Sequence, residues 1–155
     1  MELLPSENKP PFRPPPVGSG PSGLLLSRDL IFTSKVKGTA AELGYPMMVT
    51  GAELQARSMI AAYRPRIVFV DLAAGELVDR AALIAYQQIA GPDTWFVAFG
   101  AHVDVEVLAA ARAAGCHDVL PRSRFAAELP ELMRRYFSGP ATRNGGTTAD
   151  GVIRV

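Results

Sequence analysis

Cysteine is almost missing from this 155-residue chain, and histidine, net charge and long apolar runs are scarce as well. The single cysteine, Cys116, excludes an internal disulfide and a multi-cysteine metal site. Two histidines, His102 and His117, fall at different predicted strand ends, too few and too far apart for a metal centre or a catalytic base with a partner. Both read as surface or half-buried structural residues. Sixteen basic residues against fifteen acidic ones leave a charge of +1, which gives no footprint for nucleic acid. No apolar run is long enough to cross a bilayer. At the amino end, Glu2 and Glu7 stand among prolines where a secretory signal needs an apolar core. The expectation is a cytoplasmic protein with no membrane or nucleic-acid partner and no cofactor.

Hydrophobic residues make up 48% of the chain, and the length suits one domain with an ordinary core. Proline is concentrated at Pro5, Pro10, Pro11, Pro14, Pro15, Pro16 and Pro21, so residues 1–22 read as a disordered arm. Beyond Phe137 the composition turns to Gly, Thr, Asn and Asp, and residues 138–155 read as a disordered tail. Residues 23–137 remain for the folded domain. Gly18-Ser19-Gly20-Pro21-Ser22-Gly23 is glycine-rich but precedes the first predicted strand, whereas a phosphate-cradling loop joins a strand to a helix.

Within 23–137, Arg66-Ile67-Val68-Phe69-Val70-Asp71 stands out as a central strand, four β-branched or aromatic residues ending at a carboxylate. Around it come a strand at Gly23–Ser27 and a helix capped by Asp29 with Phe32, Val36, Ala40 and Leu43 on its apolar face, ended by Gly44. A strand at Met47–Thr50 follows, then a helix from Ala52 to Tyr63 with Leu54, Met59 and Ala62 inward. After the central strand come a helix near Val78–Ala90, a strand at Trp95–Phe99, a helix capped by Asp104, a strand at Asp118–Pro121 and a last helix starting near Leu129. Pro130 suits that helix's first turn. Five strand–helix alternations predict an α/β doubly wound parallel sheet with helices on both faces. In such sheets sites lie beyond the carboxyl ends of the strands, where Asp71 falls; Asp is also common as a turn or cap residue, and the stretch alone leaves both readings open. Cys116, between a helix-ending glycine and the last strand, fits a small buried thiol.

Three segments resemble the receiver domain of bacterial response regulators: Val68-Phe69-Val70-Asp71, Phe99-Gly100-Ala101-His102, and Ala114 through Arg122. The resemblance implies a flavodoxin-like sheet of order 2-1-3-4-5 and makes Asp71 the phosphoacceptor equivalent. It also locates departures. The acidic pair that helps hold Mg²⁺ corresponds to Ser27-Arg28, the phosphate-sensing hydroxyl to Gly100, the phosphate-contacting lysine to Arg122, the following proline to Ser123, and the switching aromatic to Val119.

A pocket of Ser27, Arg28, Asp29, Gly100, Ala101 and Arg122 around Asp71 therefore sets one carboxylate against two guanidinium groups, which opposes a divalent cation. The expectations that follow are an Asp71–Arg28 ion pair, no metal and no catalytic residue. The chain reads as a degenerate signalling domain, not an enzyme, acting on a protein partner (a kinase or an effector), with a homodimer as a further option. Two alternatives stay open: a phosphoryl-accepting receiver on Asp71, aided if a one-residue slip brings Asp29 towards it, or a small-anion or nucleotide sensor using Arg28 and Arg122.

Overall fold

The computed structural model describes residues 22–138, so both expected disordered segments lie outside the described residues except for their inner ends. Ser22, at the inner end of the arm, is buried and its carbonyl accepts from the Arg66 amide at 2.7 Å. Five strands form the sheet: β1 (Gly23–Leu26), β2 (Met47–Thr50), β3 (Ile67–Asp71), β4 (Trp95–Gly100) and β5 (Asp118–Pro121). All neighbours are parallel, in the order β2-β1-β3-β4-β5. The expected topology is thus the observed one.

β3 is the central strand, and each of its five residues is buried. Side chains alternate across a strand, so Ile67 and Phe69 enter one layer while Val68 and Val70 enter the other. The first layer is closed by α1 (Leu30–Leu43) and α5 (Arg122–Phe137). The second is closed by α2 (Glu53–Tyr63), α3 (Arg80–Ala90) and α4 (Val105–Ala113).

Local chemistry sets both ends of α1. The Asp29 carboxylate accepts from the Phe32 amide at 3.0 Å and starts α1, which Gly44 ends at φ 81°. The residues that face inward from α1 are Phe32, Val36 and Ala40, with Leu43 half-buried.

Four expectations fail here. Asp104 directly precedes α4, but its side chain makes no capping hydrogen bond. In α2 the inward positions are Ala56 and Ile60, with Met59 packed against them, while Leu54 is 79% exposed. Two residues amount to about 200° of helix rotation, so Leu54 and Ala56 point in nearly opposite directions. The helix expected from Val78 is delayed: Leu72–Val78 forms 3₁₀ turns interrupted at Gly75 (φ 65°), and Asp79 then caps α3 by accepting from the Ala82 amide at 2.9 Å. Finally, α5 begins at Arg122 and carries Pro130 in its interior. An internal proline costs about 3 kcal/mol. Continuing the helix keeps Phe125, Leu129, Leu132, Met133 and Tyr136 on one buried stripe, which offsets that cost.

Candidate functional site

Asp71 closes β3 at the carboxyl edge of the sheet and is 1% exposed. Its Oδ1 accepts from the Ala73 amide at 3.0 Å, a local turn that the 3₁₀ segment requires, and from the Arg122 guanidinium at 2.8 Å. Its Oδ2 accepts from the Ser27 hydroxyl at 2.7 Å, and Ser27 Oγ in turn accepts from the Asp29 amide at 3.1 Å. A buried carboxylate is tolerable only when hydrogen-bonded and paired, and here both oxygens are engaged.

The pairing cation is Arg122, not Arg28 as the sequence suggested. Register explains it: Asp71 pairs with Phe99 and Gly100 with Pro121, so the residue after Pro121 sits at the same edge as Asp71. Arg122 is 30% exposed, and its guanidinium lies over the rings of Phe32 (5.2 Å) and Phe99 (5.4 Å). Phe99 stacks on Phe125 at 4.0 Å, which ties the cation's platform to the α5 core. Arg28 turns away to donate through Nε to the Gly51 carbonyl (3.0 Å) and through Nη1 to the Ala74 carbonyl (3.2 Å). It straps the loop after β2 to the 3₁₀ segment. Gly51 permits the approach, because a Cβ there would stand 3.1 Å from Arg28 Cγ.

The other expected pocket residues are accounted for individually. Asp29 spends its carboxylate on the α1 cap, so it does not move towards Asp71 as a second acid. Gly100 is buried beneath Leu72 and Leu108, each within 3.3 Å of where its Cβ would be, so leucine side chains occupy the space beside it. Ala101 is exposed and its carbonyl accepts from the Asp104 amide at 3.0 Å. Neither the aromatic platform under Arg122 nor the leucine cover on Gly100 was anticipated from the sequence. Phe32 and Phe99 looked like core residues, and nothing local marks them as partners of a cation.

The donor set does not suit a Mg²⁺ ion, which the receiver resemblance implies. Such an ion needs several oxygen ligands with little competing positive charge. Asp71 offers one carboxylate that already accepts three hydrogen bonds, one of them from a guanidinium. Among the described residues no three His, Cys, Asp or Glu side chains cluster as a metal group would. Elsewhere, burial pushes the Cys116 thiol up to about 11, which suits a packed thiol and not a nucleophile. The His117 ring accepts the Phe96 amide on Nδ1 at 2.9 Å, a structural role, and His102 is exposed.

No family model matches the chain, and no curated protein matches it. Solved structures do. A response regulator from Thermotoga maritima superposes with TM-score 0.65 at 21% identity, covering 77% of this chain and 99% of that one. The receiver domain of the sensor histidine kinase PA1611 from Pseudomonas aeruginosa, described with magnesium in its active-site cleft, gives 0.65 at 19%, covering 78% and 100%. The receiver domain of Ssk1 from Saccharomyces cerevisiae, crystallised with the phosphotransfer protein Ypd1, gives 0.68 at 13%, covering 81% and 94%. Residues 22–138 therefore have the fold of response-regulator receiver domains. No helix among the described residues is long and apolar enough to cross a membrane.

Proposed function

We propose that the chain is a receiver-like signalling domain whose phosphorylation site has been replaced by a fixed ion pair, and that it acts by binding another protein. The observation that carries this reading is the state of Asp71: 1% exposed, held by Ser27, Ala73 and Arg122, with an arginine where a receiver has its lysine. Phosphoryl transfer to an aspartate needs a free carboxylate oxygen and stabilisation of charge on the transferring group. Ser27 and Arg28 supply no carboxylate for a metal that would provide it, and Gly100 supplies no hydroxyl to read a phosphate. The receiver fold supports a place in response-regulator signalling, with a kinase, phosphotransfer protein or effector as the class of partner. Site chemistry supports a role without turnover.

Incubation with acetyl phosphate and Mg²⁺ followed by intact-mass spectrometry tests this. The mass is expected to stay unchanged. A phosphate adduct that disappears in Asp71→Asn would overturn the reading and make the domain a working phosphoryl acceptor. The anion-sensor alternative loses support from the geometry, since Arg122 is paired with Asp71 and Arg28 serves two main-chain carbonyls.

A further inference from the structure

The proline-rich arm enters the domain at the amino edge of the sheet, and the hydrogen bonds there fix what stands beside it. The Gly23 amide donates to the Pro46 carbonyl at 2.9 Å, and the Arg66 amide to the Ser22 carbonyl at 2.7 Å. The Trp95 amide donates to the Arg66 carbonyl at 2.9 Å, and the His117 amide to the Phe96 carbonyl at 2.8 Å. Tyr45, Ser22, Arg66, Trp95 and His117 therefore stand along one edge, in the order of the strands they precede or begin.

Three of these residues bring rings to the surface: Tyr45 and Trp95 are half-buried and His117 is exposed. The end of α5 backs them. Phe137 stacks on Tyr45 at 4.2 Å, Tyr136 packs on Trp95 at 5.3 Å, and Trp95 meets the His117 ring in a T-shaped contact at 5.3 Å. The chain leaves against this row, because a Cβ on Gly23 would come within 2.9 Å of the Phe137 ring. Ser22 is 0% exposed, so the last residue of the arm is already held here. Its buried hydroxyl has no hydrogen-bond partner among the described residues, a cost that a carbonyl of the arm would remove.

Both terminal segments start from this edge, since α5 ends at Phe137. Residues 139–155 contain one proline, Pro140, and no aromatic residue, whereas residues 10–16 read Pro10-Pro11-Phe12-Arg13-Pro14-Pro15-Pro16. Aromatic surfaces take up polyproline II helices, whose shape is set before they bind. Seven residues in that form span about 22 Å. From β2 to β5 the row crosses the whole sheet, about 19 Å. Val17-Gly18-Ser19-Gly20-Pro21 links the proline block to Ser22, with a reach of about 17 Å and glycines that let the chain turn back. On so short a tether the effective concentration is millimolar, so a weak contact is enough.

We propose that this aromatic row is a polyproline docking surface and that its occupant is the chain's own residues 10–16. The surface lies at the edge opposite Asp71 and is independent of how that pocket is read.

Trp95 is the sole tryptophan, so its emission reports on the row. The test compares the full chain with a variant in which Pro10, Pro11, Pro14, Pro15 and Pro16 are all replaced by serine, outside the described domain. Emission is expected to move to longer wavelength and acrylamide to quench it more strongly, while unfolding followed by circular dichroism stays cooperative. A nitroxide attached to Phe12→Cys in a Cys116→Ala background should broaden the amides of residues 45, 95, 117 and 136–137. Unchanged emission and quenching, or no broadening, would overturn the proposal and leave the arm the free tail its composition suggests. Broadening at the carboxyl edge would overturn it by assigning the arm another surface. Broadening seen only between nitroxide-carrying and isotope-labelled copies would overturn it by assigning the arm to a second copy.

Discussion

Replacing Arg122 by alanine is the sharpest probe of the pocket, because it removes the one cation paired with a carboxylate that is 1% exposed. Stripping one partner from a fully buried pair costs about 3–5 kcal/mol, mostly the penalty of leaving a charge uncompensated. Two features lower that figure. Arg122 is 30% exposed, so water reaches the space it vacates, and Asp71 keeps its hydrogen bonds from Ser27 and Ala73. One raises it, since the guanidinium also leaves the faces of Phe32 and Phe99, a contact worth about 0.5–1 kcal/mol at partly exposed sites. The expected loss is therefore about 2–3 kcal/mol. Urea unfolding followed by circular dichroism measures it. The double-mutant cycle with Asp71→Asn isolates the pair, and its coupling should be about 1–2 kcal/mol. Arg122→Lys should fall between, keeping the charge while losing the planar fork and the stacking. A cost for Arg122→Ala below about 0.5 kcal/mol, with single-mutant effects that add, would refute a stabilising Asp71–Arg122 lock.

Two further outcomes test other parts of the structure. Phe69→Ala should cost about 3–5 kcal/mol, since Phe69 is fully buried with its ring edge-on to Phe125 at 5.1 Å, whereas Leu54→Ala should stay within about 0.5 kcal/mol. Equal effects in urea titration would contradict the central place of β3 and the outward face of Leu54. Alkali should also destabilise the fold. Burial holds Cys116 up at about 11 against 9.0 for a free thiol and Tyr86 up at about 12 against 10.0, so the unfolded chain releases these protons first. Between pH 9 and 11 the native state binds the extra Cys116 proton, and stability falls as pH rises, by up to about 1.4 kcal/mol per pH unit for each such group. In Cys116→Ala the decline should begin nearer pH 10, where Tyr86 takes over; an unfolding midpoint that stays flat from pH 8.5 to 10.5 would contradict it.

The sequence alone determined the sheet, its parallel sense, the central strand and the carboxylate at that strand's end. These depend on nearest-neighbour patterns: a run of buried β-branched and aromatic residues ending in a carboxylate, and caps such as Asp29 and Gly44 that act within one helical turn. The resemblance to receiver domains, not composition, is what matched Ser27-Arg28 to an acidic pair and Gly100 to a hydroxyl residue. Tertiary structure decided everything that depended on three-dimensional choice. Arg28 was the expected partner of Asp71, and strand register placed Arg122 there instead while the Gly51 and Ala74 carbonyls drew Arg28 away. Pro130 looked like a helix start, and the buried stripe from Phe125 to Tyr136 carried the helix through it. Leu54 looked like core, and the rotation set by Ala56 and Ile60 turned it to solvent. A local pattern states which groups are available, whereas long-range packing determines which of several equivalent partners each group meets.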